Sequence, residues 1–329
     1  MIDMNGNRCY ILDVIYNITT RKKEKTVNWT DFLNGTPAED YVFQQTPYAE
    51  QIKEAASIIR DAKRILIGAG AGLSTAAGLV YSGKRFEENF REFIEKYGMT
   101  DMYTAGFYPF PSEEAKWGYW SKHAWMNRFR PPALPVYQAL FDLVKDKDYF
   151  VLTTNVDHQF YKAGFAEDRV FATQGDYGKI QCAKGCHPKT YDAAALFKEM
   201  NAARKDCLIP SELVPKCPVC GGPMTMNLRA DQYFVEDAAW HEAAERYGAY
   251  LEENLDQENT VLLELGVGFN TPIIIRFPFE KMTREHGNIQ LVRLNLKEAF
   301  VPESFGARAV GINADIRQSI TDIGRERGI

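Results

Sequence analysis

No run of apolar residues in this 329-residue sequence approaches the roughly 20 needed to cross a bilayer, which excludes an α-helical membrane protein. Nor is there an excess of basic charge. Against 44 Asp and Glu stand 39 Lys and Arg, a net charge of −5, so the basic face of a nucleic-acid binder is missing. No internal repeat or low-complexity tract is evident, and no repeat architecture is expected. The charge order of a secretory signal is also lacking: near the start CYILDVIY is broken by Asp13, and the basic RKKEK follows it instead of preceding it. A cytoplasmic protein is expected. Residues 1–27 show no periodicity and read as a loose extension, with the basic run at 21–25 a solvated tail.

What is present is an alternation. YAEQIKEAASIIRDAK sets Ile52, Ala55, Ile58 and Ile59 on one helical face, and RILIG follows as a buried strand. VYQALFDLVKD leads in the same way into YFVLTTN, and AAWHEAAERYGAYLEENL into TVLLELG. IQLVRLN is a further apolar strand and DIRQSITDI a closing helix. Helices alternating with short apolar strands predict an α/β fold, a Rossmann-like doubly wound parallel sheet covered on both faces. Ligands bind such sheets beyond the carboxyl ends of the strands. Those ends read GAGAGLS, TTNVD, LGVGFN and LN, and they are expected to converge on one cleft.

Two stretches break the alternation. Residues 81–134 are rich in aromatics and read as a helical insertion, whose Trp117, Trp120 and Trp125 are expected in packed core. Residues 177–231 carry five of the six cysteines. Together they predict a smaller lobe inserted into a core of about 46–80, 135–176 and 232–329, behind an N-terminal extension over 1–45.

The glycine patch RILIGAGAGLSTAAGLVYSGKRF has three phosphate-loop readings. A strict G-x-G-x-x-G fails, because Gly70-Ala71-Gly72 is followed at the third position by Thr75. A Walker-type loop fits at Gly78, Gly83 and Lys84, but Arg85 stands where Ser or Thr should hold magnesium. There remains a strand, the loop GAGLS and a helix start, which offers backbone amides and a favourable dipole to a pyrophosphate. A side chain at Gly72 is expected to block that approach. A tight turn with no ligand is the competing reading of the loop alone.

Cys182-x3-Cys186 and Cys217-x2-Cys220 form two close pairs, which in a cytoplasmic chain suggest tetrahedral structural zinc instead of disulfides. A metal-free remnant of a zinc-ribbon-like module is the alternative. His187 adjoins the site without being counted as a ligand, and Cys207 and Cys9 read as ordinary thiols.

GAGLSTAAGL resembles the sirtuin signature, in which GAG-(I/L)-S is followed three residues on by Gly-Ile or Gly-Leu. TTNVD resembles the family's T-Q-N-I-D, YKAGF its A-G step, and two cysteine pairs, LGVGFN and LN follow in sirtuin order. The resemblance runs from about Ile52 to Ile323 and implies NAD as co-substrate, with its pyrophosphate on the glycine loop. It carries over Gly70, Ala71, Gly72 and Ser74 as loop residues, Asp157 as the carboxylate facing nicotinamide, Asn295 at the adenosine ribose and Gly266 at the phosphates. Arg85 is either a phosphate ligand or a surface cation. In deacylases the loop continues P-D-F-R-G and a later segment ends in His-Gly; here these read VYSGKRF and ATQGDYG, so Gln174 replaces the histidine. His158, directly after Asp157, is the one histidine placed to compensate. A glutamine cannot take a proton from a ribose hydroxyl near neutral pH. The combination is similar to the class M sirtuins, the branch linked to macrodomain proteins. It implies protein mono-ADP-ribosyl transfer by Asn155 and Gln174 to a lipoylated carrier protein of the glycine cleavage type, with a link to a macrodomain hydrolase. A surviving deacylase and a non-catalytic NAD-binding module are the alternatives.

Overall fold

Successive residues of a strand face opposite sides, so the apolar run inside Arg64–Ala69 (β1) needs cover on both. The computed structural model describes residues 40–269 and 272–329 and provides that cover. Six strands pair in parallel: β1, β2 (Asp148–Thr153), β3 (Val170–Ala172), β4 (Thr260–Leu265), β5 (Ile289–Asn295) and β6 (Ala309–Asn313). Their order is β6-β5-β4-β1-β2-β3, the doubly wound arrangement expected. The helices are α1 (Tyr48–Asp61), α2 (Ala71–Ala76), α3 (Pro135–Val144), α4 (Ala238–Asn254), α5 (Arg276–Glu285) and α6 (Ile316–Arg327). Ile65 and Ile67 pack with α1, α2, α3 and α6, while Leu66 packs with α4 and α5. No helix of the described residues is long and apolar enough to cross a membrane.

In the main sheet and the helices named against it, β3, β6 and α5 were not expected from the sequence. Pro278 argues against a helix when read alone, yet it stands third in α5, where an N–H has no partner inside the helix anyway. Asp237 is the N-cap of α4 and accepts from the Trp240 amide at 2.9 Å. Most of the expected extension, with Cys9 and the basic run, lies outside the described residues. Its last part is tied to the fold. Tyr41–Val42 pairs antiparallel with Val301–Pro302, and the Gln44 side chain bonds the backbone of Ala309 and Gly311.

Charge lies hidden in the sheet. Glu264 of β4 and Arg293 of β5 sit side by side in register, fully buried, with 2.8 Å between carboxylate and guanidinium. Glu280 and Arg276 of α5 complete the group at 2.8 and 3.2 Å. Two positive and two negative charges balance, as buried ions must. Arg276 and Arg293 also donate to the carbonyls of Glu298 and Phe300, which fastens the loop after β5.

The smaller lobe has two parts. Short helices between Lys84 and Ala124 close around Phe86, Phe90, Phe93 and Tyr119. A three-stranded antiparallel sheet places Gly175–Cys182 between Thr190–Asp192 and Met224–Leu228, backed by Ala194–Ala203 and by Trp117, which is fully buried.

Candidate active site

Strand order reverses between β1 and β4, and the loops leaving those two strands meet there. Gly70 donates to the Leu265 carbonyl and Gly72 to that of Gly266, both at 3.0 Å. A Cβ on Gly72 would stand 2.7 Å from the Gly266 Cα, and one on Gly70 2.7 Å from the Gly266 oxygen. Gly266 itself has a φ of +62°, which only glycine adopts freely. The three glycines thus form a joint of backbone against backbone. This changes one expectation: a side chain at Gly72 would force the two loops apart before it met any pyrophosphate, so Gly72→Val is not a clean test of cofactor binding. Ala71 lies exposed at the first position of α2, where helix amides have no internal partner.

The TTNVD segment lies alongside. Asn155 is buried, and its Nδ2 donates to the Gly70 carbonyl at 3.0 Å and to the Tyr137 hydroxyl at 3.3 Å. Ser74 Oγ lies 2.9 Å from the Tyr137 hydroxyl and donates to Asp157 Oδ2 at 2.5 Å. Asp157 Oδ1 accepts from the Gln159 amide at 3.0 Å. Four side chains from three segments are joined in this way. Tyr137, on α3, was not singled out in the sequence; its signal was a tyrosine in a helix face that is otherwise apolar.

Burial raises the Asp157 carboxyl, opposed by the Ser74 and Gln159 donors. A folded pKa above the unfolded one means that protonation favours the fold. The contribution is complete below the unfolded pKa and is lost as pH rises through the folded value. Asp157→Asn keeps the shape without the charge. It is expected to melt at or above the wild-type temperature at pH 7, with the difference shrinking as acid protonates the wild type. A variant that melts well below wild type at pH 7 would show that the ionised carboxylate stabilises the fold.

Gln174 occupies the turn between β3 and the Gly175–Cys182 strand. Its carbonyl accepts from the Arg229 amide at 3.0 Å, while its side-chain amide bonds to none of the described residues and is half-buried. The His158 ring turns to Asp176. The residue takes a left-handed φ of +65°, and its Nδ1 lies 2.9 Å from Asp176 Oδ2. Burial alone would raise Asp176, but the His158 hydrogen bond and the Arg128 guanidinium hold it at about 2. Asp176 therefore clamps the segment carrying Gln174 to the TTNVD loop and to Arg128. A cavity of about 500 Å³ opens beside this clamp, between His158, Tyr161, Trp240 and Arg246; neither Asn155 nor Gln174 lines it.

Arg85 and Asn295 have work inside the protein. Arg85 donates to the Val80 and Met126 carbonyls and to Asn127 Oδ1, at 2.9 to 3.0 Å. It braces the lobe with three of its five N–H groups. Asn295 Oδ1 accepts from the Lys297 and Glu298 amides, and its Nδ2 donates to the Val267 carbonyl, each at 3.1 Å. It ties the end of β5 to the Gly266 turn and keeps one N–H for a ligand.

The cysteines come together as expected. Sulfurs bound at about 2.3 Å to one tetrahedral zinc stand about 3.8 Å apart. The Sγ atoms of Cys182 and Cys220 are 3.7 Å apart, those of Cys186 and Cys217 3.6 Å, and all four lie within 4.8 Å of one another. Backbone amides of Lys184 and Cys186 reach the Cys182 sulfur, and those of Val219 and Cys220 reach Cys217. His187 Nδ1 is 3.1 Å from the Cys186 sulfur while its Nε2 meets the Tyr191 hydroxyl, the position of an outer donor. Cys207 is buried apart from them, in the core of the helical part.

No family model matches the chain. It is 39% identical over 279 residues to a protein ADP-ribosyltransferase from Staphylococcus aureus strain Mu50, covering 84% of this chain and 87% of that one. It is 32% identical over 313 residues to a probable bifunctional ADP-ribose hydrolase/ADP-ribosyltransferase from Fusarium oxysporum f. sp. cubense. That match covers 89% of this chain and spans half of the fungal protein. Among solved structures, a Sir2 homologue in complex with NAD superposes with a TM-score of 0.55 at 16% identity, over 88% of this chain and 98% of that one. A Sir2 enzyme bound to a propionylated peptide does so with 0.53 at 18%, over 84% and 99%. The backbone is that of the sirtuins, and with a relative this similar along most of both chains, the protein belongs to the sirtuin-fold protein ADP-ribosyltransferases.

Proposed function

We propose that the protein cleaves the bond between nicotinamide and ribose in NAD and transfers the ADP-ribose to a protein, as a class M sirtuin acting on a lipoylated carrier of the glycine cleavage type. One observation carries this reading: where a deacylase has a basic histidine, Gln174 presents a side-chain amide with no partner among the described residues. Nicotinamide leaves with the bonding electron pair, and positive charge develops on the anomeric carbon. Asn155 Oδ1 and Asp157 are the polar groups in the proposed cleft to oppose that charge. In this reading Asn155 and Gln174 orient the ribose hydroxyls. Gly70, Ala71, Gly72, Ser74 and Gly266 line the pyrophosphate, Asn295 faces the adenosine ribose, and Arg85 offers a phosphate the N–H groups that its bonds within the lobe leave over. The acceptor's nucleophilic atom bonds to the anomeric carbon and releases its proton.

Deacylation asks for more. A ribose hydroxyl must lose its proton to attack the acyl-derived intermediate, and an amide does not accept it. The His158 ring lies against Asp176, on a cavity that neither Asn155 nor Gln174 lines. Cys182, Cys186, Cys217 and Cys220 would hold zinc, whose four thiolates leave no open position, so the ion cross-links the lobe and takes no part in the reaction. The fungal relative's name joins an ADP-ribose hydrolase to a transferase, which supports a working partnership with a hydrolase of the macrodomain type.

The test uses labelled NAD and the carrier protein with and without its lipoyl group. Label is expected on the lipoylated form alone. Equal labelling of both would remove the lipoyl requirement, and label on neither would remove this acceptor.

A further inference from the structure

The bonds around Tyr137 can be given a direction. An ionised carboxylate only accepts, so the single hydroxyl hydrogen of Ser74 goes to Asp157. Ser74 then has only lone pairs to offer across the 2.9 Å to Tyr137, and the Tyr137 hydroxyl must donate to it. With its own hydrogen in use, the Tyr137 oxygen accepts, and Asn155 Nδ2 is the group that donates to it. The second Asn155 N–H goes to the Gly70 carbonyl, which can do nothing but accept. Both neighbours of that amide nitrogen are acceptors, so the amide has one orientation: NH2 towards α3 and the glycine loop, carbonyl oxygen the other way.

We infer that Tyr137 is a positioning residue, whose hydroxyl fixes the Asn155 amide so that its carbonyl oxygen meets the substrate ribose. Tyr137 is fully buried and acts only through Asn155 and Ser74. Its ring is held independently, packed edge-on against Phe160 at 5.0 Å between centroids and embedded in the apolar layer under α3. The hydroxyl is therefore separable from the packing. Without it, one Asn155 N–H loses its acceptor and the amide hangs on the Gly70 carbonyl alone, so that its own carbonyl oxygen is no longer held in one direction towards the ribose. Cooperative chains of this kind make each bond depend on the next.

This inference rests on the proposed NAD chemistry, and the experiment separates the two. The variants are Tyr137→Phe, Asn155→Ala and the double variant, each assayed for nicotinamide release and for transfer of ADP-ribose. Tyr137→Phe removes one oxygen atom and keeps the ring, and a thermal melt checks the fold. The expected result is a fall in kcat of about 10 to 100-fold with the KM for NAD changed less than about 3-fold, the signature of an interaction that matters in the transition state. A residue acting through Asn155 has nothing left to position once that side chain is gone. The double variant is therefore expected to match Asn155→Ala, a full departure from additivity. Wild-type kcat in Tyr137→Phe, or losses that multiply in the double variant, would overturn the positioning role. A wild-type enzyme that releases no nicotinamide from NAD would instead overturn the proposed function.

Discussion

Gln174→Ala is expected to slow ADP-ribosyl transfer by about 10²-fold or more while leaving the melting temperature nearly unchanged. Loss of one well-placed hydrogen-bonding group at a centre of developing charge has costs of that size. The stability half of the prediction comes from the structure, because the Gln174 side chain holds nothing in place while its backbone holds the turn. Alanine keeps the backbone bond to Arg229 and deletes only the amide. Gln174→His is the sharper variant. It supplies a deacylase-like base, but the loop VYSGKRF does not carry the deacylase residues. Transfer is expected to fall and deacylation to stay near background. Brisk acetyl release by Gln174→His would mean that the histidine alone separates the two chemistries.

Cys217→Ser is expected to lower zinc content and stability together. Structural zinc contributes a large share of folding energy to small modules, roughly 10–16 kcal/mol in isolated peptides. Loss of one thiolate from the cage should lower the melting temperature by on the order of 10 °C. Activity should fall as well. The strand that ends at Cys182 begins at Gly175, one residue after Gln174, and Cys182 and Cys217 pack in the same apolar cluster as Tyr177 and Met226. Unfastening one end frees the other. Metal analysis and a melt on the same preparation check this, and a variant that keeps a full complement of zinc would show that the other three cysteines suffice.

The sheet was legible because a parallel sheet covered on both faces demands runs such as ILIG and VLLEL, and such runs are contiguous in sequence. The glycine loop and TTNVD were legible for the same reason: each is one short segment at one strand end. What was hidden depends on contacts between distant residues. Glu264 and Arg293 each interrupt an apolar strand, and only their adjacency across two strands, 29 residues apart in sequence, makes them compatible with burial. Tyr137 reads as one more core position of a helix, because its partners Ser74 and Asn155 lie 63 and 18 residues away. The joint between Gly72 and Gly266 is likewise a matter of tertiary approach. Asn295 illustrates the reverse: motif position named it as ligand-facing, and the structure adds internal bonds that no motif displays, as it does for Arg85, which the sequence left open between phosphate ligand and surface cation.

Transferase chemistry is tested most directly by following both products in one vessel, with wild-type protein, NAD, the lipoylated carrier and an acetyl-lysine peptide. Intact-mass analysis reads the carrier and the peptide while nicotinamide release is measured in parallel. The predicted result is nicotinamide released in step with an ADP-ribose adduct on the carrier, and a peptide that keeps its acetyl group. Acetyl-ADP-ribose formed at the expense of the peptide, with no adduct on any protein, would contradict it.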